Sequence, residues 1–126
     1  MRPSRNAGAG SALSEIVHLG GNHFHFLVLE RDNQSGSYAA IKTVTLISLD
    51  GVAPAAYGGD LPVVEKELVV DLVPAMQGSR GWISDKPEGL AITGDGRVFT
   101  VIDNDGVDDA SGETRLLLLG VKNGLT

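Results

Sequence analysis

The sequence predicts an all-β protein made of short antiparallel strands. Three observations support this fold class. The 126 residues include 17 glycines but only 5% aromatic residues, a composition typical of turn-rich β-proteins. Short runs of Val, Ile, Leu, Phe and Thr are bounded by Gly, Asp, Asn or Pro. A strand-rich segment also recurs further along the chain.

Residues 1–13 are rich in Gly, Ala, Ser and Arg, which predicts a flexible lead-in before a folded domain over 14–126. No amphipathic helix is predicted, and a long connector separates the fourth strand from the fifth. The seven expected strands lie at about 14–19, 24–30, 39–49, 63–72, 88–93, 97–103 and 114–121, in repeat units of about 14–72 and 87–121.

The repeat has an offset of 73 residues. This offset aligns residues 14–33 with residues 87–106 without a gap, so that Glu15 is aligned with Glu88. An antiparallel unit of three or four strands that recurs in this way is typical of a β-propeller blade, but propellers close with about 4–8 blades. Two units therefore predict part of a larger propeller, an incomplete ring that closes by self-association, or a two-sheet sandwich.

Each repeat begins with a predicted hairpin. Asp95-Gly96 is typical of a two-residue type I′ turn, and pairing outward from it sets Glu88 opposite Asp103. In the first repeat, pairing outward from Asn22-His23 sets Glu15 opposite Glu30. Polar groups thus gather at the hairpin ends opposite the turns, namely Glu15, Glu30, Arg31 and Asp32 in the first repeat and Glu88, Asp103, Asn104 and Asp105 in the second.

These polar ends are the candidate functional site. Calcium takes six to eight oxygen ligands, and carboxylates from adjacent blades could supply them. Arg31 could hold phosphate oxygens while a metal-bound water attacks, although an ion pair between Arg31 and Glu30 or a solvated acidic rim fits the same residues. The expected metal ligands are Glu15, Glu88, Asp103 and Asp105, and the expected catalytic residues are Glu30, Arg31 and Asp103.

The three histidines lie near the turn of the first hairpin. His23 and His25 share one face of a strand and His18 lies across from them, but the sequence shows no further ligand that would complete a zinc site. We therefore expect these side chains to face solvent.

Composition excludes several classes of protein. Without cysteine there is no zinc–thiolate site, disulfide or cysteine nucleophile. The net charge of -6 disfavours a nucleic-acid partner. We expect no membrane span and find no signal peptide in this chain. No G-x-S-x-G motif supports an α/β-hydrolase.

Five segments together carry a family resemblance. SEIVHL, FLVLERDNQSG and AIKTVTLISLD, followed by DKPEGLAITGDGRVFTVIDNDG and GETRLLLLG, resemble the C-terminal part of the phytase-like propeller family, also described as esterase-like activity of phytase. The resemblance covers roughly residues 11–121. It implies a β-propeller, frequent export to the periplasm or cell exterior, and hydrolysis of phosphate or other esters in an intact parent.

The same resemblance implies a small anionic or ester substrate, with the remaining blades or a second copy as partner. We expect the chain alone to be inactive. A looser resemblance to calcium-dependent lactonase propellers implies that Glu15 and Glu88 begin blades and bind calcium. The alternative functions are a non-catalytic propeller module for binding or scaffolding and a calcium-dependent lactonase-like hydrolase.

Overall fold

The computed structural model describes residues 11–34, 36–78, 86–103 and 114–125. It confirms the all-β prediction, with a four-stranded sheet of order β1-β2-β3-β4 and a three-stranded sheet of order β5-β6-β7. All strand pairs are antiparallel. The strands are β1 Ala12–His18, β2 His25–Arg31, β3 Lys42–Ser48, β4 Lys66–Asp71, β5 Pro87–Ile92, β6 Arg97–Ile102 and β7 Leu116–Val121.

The first sheet is a simple meander, the arrangement of a propeller blade, and the second has three strands in the same order. Strand β1 also contacts β5, so the first strands of the two sheets are neighbours. Two such sheets are compatible with two adjacent blades. Within the described ranges, no helix is both long and apolar enough to cross a membrane.

The pairing of the strands reproduces the 73-residue repeat. Adding 73 to both members of the pairs Ile16–Val28, Val17–Leu27 and His18–Phe26 gives three pairs of the second hairpin. These are Gly89–Val101, Leu90–Thr100 and Ala91–Phe99. The two hairpins therefore share a register as well as a sequence pattern.

That register corrects the predicted pairing at the hairpin ends. Glu15 lies opposite Leu29, and Glu30 lies opposite Leu13, because the loop is longer than a two-residue turn and a β-bulge interrupts the ladder between Leu13 and Glu15. The closing hydrogen bond runs from the Leu19 N–H to the His25 carbonyl. The prediction that Glu15 faces Glu30 was wrong.

The second hairpin has a corresponding shift. The Gly96 N–H bonds to the Thr93 carbonyl, and Gly96 has a φ of 86°, so the loop contains three residues rather than the predicted two. Glu88 falls in a bulge between Pro87 and Gly89. The Asp103 N–H bonds to the Lys86 carbonyl at 2.8 Å. The prediction that Glu88 lies opposite Asp103 was therefore wrong.

One apolar core joins the two sheets through a short helix that the sequence did not predict. The helix α1, Leu72–Gly78, follows β4, and the Asp71 carboxylate accepts the Val73 N–H at 3.1 Å as an N-cap. Seven residues are too few to show a clear helical period. The buried core consists of Leu27, Leu29, Val44, Leu72, Met76, Leu90, Val98 and Ile102.

The other helical segments are short. A 3₁₀ turn covers Gly36–Tyr38, and a four-residue helix α2, Lys122–Leu125, follows β7. Strand β1 begins at Ala12, slightly before the predicted start of the domain.

Candidate functional site

The two sheets are linked by an ion pair between predicted site residues. Arg31 ends β2, and its Nη2 donates to Oε1 of Glu88 in the β5 bulge. Its Nη1 donates to Oδ1 of Asn33. The Arg31 side chain is 11% exposed, whereas that of Glu88 is 38% exposed. A bulge can aim a side chain away from its strand, and here it accompanies the contact of Glu88 with the other sheet.

Glu88 and Asp103 line the same open cleft. The cleft has a volume of about 570 Å³, and its described lining is Glu88, Gly89, Val101, Ile102, Asp103 and Thr114. Asp103 is exposed and Glu88 partly exposed, so water and a small ligand can reach both carboxylates. No cationic side chain belongs to the described part of the lining. The cleft can therefore accept protons and orient water.

Arg31 supports this cleft from the interior. Its Nε is buried and has no hydrogen-bond partner among the described residues. Its two terminal nitrogens donate to Asn33 and Glu88, so the guanidinium orients the Glu88 carboxylate.

Glu30 occupies a different environment. Its side chain is 8% exposed, and Oε2 accepts Lys66 Nζ at 2.6 Å while Oε1 accepts the Ser11 hydroxyl at 3.1 Å. The ion-pair partner of Glu30 is therefore Lys66 on β4 and not Arg31. Sequence reasoning missed Lys66 because the contact depends on how β4 is added to the sheet.

Glu15 lies on β1 at the boundary with the second sheet. Its Oε1 accepts the N–H of Ile16 at 3.0 Å, and its side chain lines a small cavity together with Leu90, Phe99 and Leu116. It shares no described cavity with Asp103.

Asp32 and Lys42 form a buried ion pair beside this end of the first sheet. Lys42 Nζ lies 2.8 Å from Asp32 Oδ1, and both side chains are 0% exposed. Burial by itself raises the pKa of Asp32, but hydrogen bonds from Lys42 and from the N–H groups of Ile41 and Ala40 outweigh burial and hold the pKa below its ordinary value. This pair stabilises the loop after β2 and offers no free ligand atom.

The described carboxylates do not fit a calcium centre. Glu88 and Glu30 are each paired with a cation, and neither they nor Glu15 or Asp103 belong to a described group of three potential ligands within 4.8 Å of one another. Calcium requires at least six oxygen ligands. The remaining predicted ligand, Asp105, lies outside the described residues.

Comparison with known proteins identifies the family. No curated protein and no solved structure matches the chain. A family model named Phytase-like, described as esterase-like activity of phytase, matches residues 1–106. The resemblance expected from the sequence is thereby confirmed, and the chain belongs to the phytase-like family.

Proposed function

We propose that the propeller to which this chain belongs hydrolyses esters in the cleft between Glu88 and Asp103. The observation that carries the proposal is the presence of two carboxylates in one open cleft, one of them held by Arg31. Membership of a family described by an esterase-like activity supports the reaction class.

Asp103 is the proposed general base. Its exposed carboxylate takes a proton from water while the water oxygen bonds to the acyl carbon or phosphorus. As the bond to the ester oxygen breaks, the same proton passes to the leaving alcohol, so protons balance over one turnover. Glu88 orients the substrate or the water, and Arg31 holds Glu88 in place.

The charge of the cleft favours neutral esters over phosphate monoesters. The described lining brings two carboxylates and no cationic side chain, and the whole chain carries a net charge of -6. The ion pair with Arg31 compensates the charge of Glu88, but a phosphate dianion would still be repelled by the Asp103 carboxylate and by the net negative charge of the chain. Carboxylic esters, including cyclic esters, carry no such charge.

Hydrolysis of p-nitrophenyl acetate and p-nitrophenyl phosphate by the intact propeller that contains this chain tests the proposal. Asp103→Asn should lower the rate on the acetate by roughly 100-fold or more, the usual contribution of a general base. Asp60→Asn removes one exposed carboxylate elsewhere and should leave the rate unchanged. Equal rates for the wild type and Asp103→Asn, or no turnover above buffer, would contradict the assignment.

The second candidate is a non-catalytic binding module. The observation in its favour is that Glu30, Asp32 and Glu88 are each paired with a cation, as expected of groups that stabilise a fold. In that case neither Asp103→Asn nor Glu88→Gln would change any hydrolytic rate, but Glu88→Gln would lower the unfolding free energy.

We also propose that the outer face of β7 packs against a further β-sheet. Leu117 and Leu119 pack on the core, whereas the alternating Leu116 and Leu118 are exposed by 68% and 59%. Adjacent exposed leucines mark an interaction surface. The proposed occupant is a second copy of this chain, because two sheets leave a propeller ring incomplete and self-association would close it. Sedimentation should show wild type as an oligomer and Leu118→Lys as a monomer, and a monomeric wild type would contradict the proposal.

A further inference from the structure

Two histidines and an aspartate meet at the turn end of the first sheet, away from the polar hairpin end that carries Glu30 and Arg31. His23 Nδ1 lies 3.1 Å from Asp50 Oδ2, and His25 Nε2 lies 3.0 Å from the same oxygen. The imidazole rings stack with centroids 5.1 Å apart and planes inclined by 19°. Among the described residues this is the one group of three potential metal ligands within 4.8 Å.

The fold brings Asp50 to the histidines across the β2–β3 ladder. His25 pairs with Ser48, and the Leu49 N–H bonds to the Phe24 carbonyl at 2.8 Å, so the chain after β3 runs beside the residues before β2. Asp50 therefore lies against the two imidazoles although it is 25 or more positions away in sequence. The sequence could not show this third ligand.

The carboxylate is fixed before any ion binds. Asp50 Oδ1 accepts the Phe24 N–H at 2.9 Å, which leaves Oδ2 directed at the histidines. A backbone donor on the second oxygen is a typical outer contact of a metal-binding carboxylate, because it fixes the orientation of the ligand.

The spacing suits a small transition-metal ion. Ligand atoms about 2.0–2.2 Å from a tetrahedral zinc ion lie roughly 3.3 Å from one another, close to the two nitrogen–oxygen separations seen here. Imidazole nitrogens favour zinc, copper or nickel, whereas calcium and magnesium favour all-oxygen sites. The His23 side chain is 74% exposed, so solvent can occupy a remaining coordination position.

We propose that His23, His25 and Asp50 form a zinc-binding site with three protein ligands and one position open to water. His18 is not a ligand in this assignment. Its Nε2 lies 2.8 Å from the His23 carbonyl oxygen and its ring contacts Phe26. The site is independent of the proposed hydrolytic cleft, because it uses none of the same residues.

Calorimetric titration of the tag-free chain with zinc chloride tests the site. The chain has only three histidines and no cysteine, so few side chains compete for zinc. One ion should bind per chain, and His25→Ala and Asp50→Asn should each weaken the affinity at least tenfold. The matched controls His18→Ala and Asp60→Asn should keep the wild-type affinity. Circular dichroism verifies that each variant is folded.

Cobalt provides a second readout, because tetrahedral Co²⁺ absorbs strongly in the visible range. With Co²⁺, the wild type should develop this absorption and Asp50→Asn should not. A thermal midpoint that rises with zinc concentration in the wild type would show that the native state binds the ion. The proposal is overturned if zinc does not bind, if His25→Ala and Asp50→Asn bind as tightly as wild type, or if His18→Ala weakens binding equally.

Discussion

Replacing Lys42 by methionine should destabilise the protein strongly. Both members of the Asp32–Lys42 pair are 0% exposed, and Lys42 Nζ donates to Asp32 Oδ1, to the Asp32 carbonyl and to the Gln34 carbonyl at 2.8, 3.2 and 2.7 Å. Methionine keeps most of the side-chain volume but leaves a buried carboxylate without its cation. Breaking such a pair typically costs about 3–5 kcal/mol.

The lower end of that range is expected here. After the change, Asp32 still accepts N–H groups from Gln34, Ala40 and Ile41 at 3.2, 2.9 and 2.9 Å. We therefore expect a loss of about 3 kcal/mol in the free energy of unfolding. Urea unfolding followed by circular dichroism measures this loss through linear extrapolation.

A control and a pH series complete the experiment. Arg97→Met breaks the exposed Arg97–Asp95 pair and should change the free energy of unfolding far less than Lys42→Met. Because the pKa of Asp32 is lowered in the folded state, its stabilising effect is complete above about pH 4 and is lost as the pH falls through the lowered pKa. The stability difference between wild type and Asp32→Asn should shrink accordingly below about pH 4. A Lys42→Met variant within about 0.5 kcal/mol of wild type would refute the reasoning.

Three further predictions concern the second hairpin, the Arg31–Glu88 ion pair and calcium. Gly89→Ala should destabilise the fold by about 1–3 kcal/mol, because a Cβ there would overlap Val101 Cγ1, and Val101→Ala should restore most of the loss in urea unfolding. Arg31→Ala and Glu88→Ala should not be additive, with a coupling of at least about 0.5 kcal/mol in a double-mutant cycle; additive losses would mean that the inter-sheet pair contributes nothing. Glu15→Gln should leave any rise of the thermal midpoint in millimolar calcium unchanged, since the described carboxylates assemble no calcium site; a rise that this substitution abolishes would restore the predicted role of Glu15.

Much of the fold could be predicted from local sequence patterns. All seven predicted strands are present, because runs of β-branched and aliphatic residues between turn residues determine strands locally. The repeat predicted which strands correspond, and the shared register of the hairpins supports it. Helix α1 was missed because Leu72 and Met76 give only one helical spacing within a short segment.

The candidate site was harder to predict because it depends on register and on contacts between sheets. One additional residue in the Asp95-Gly96 loop changed the register of the second hairpin, and a separate bulge between Pro87 and Gly89 then contains Glu88. The contact of Arg31 with Glu88 joins residues far apart in sequence, as does that of Asp50 with His25. No local pattern reports such contacts, so the polar residues were identified while their partners were not.

Amide-resolved NMR of the chain during titration with acetanilide, an unreactive amide analogue of a phenyl ester, tests the central claim most directly. If the cleft between the carboxylates is the ester site, saturable shifts should be largest at Glu88, Gly89, Asp103 and Thr114, and Asp60→Asn should leave them unchanged. Chemical-shift changes confined to other residues, or no chemical-shift changes up to the solubility limit of acetanilide, would contradict the assignment of this cleft.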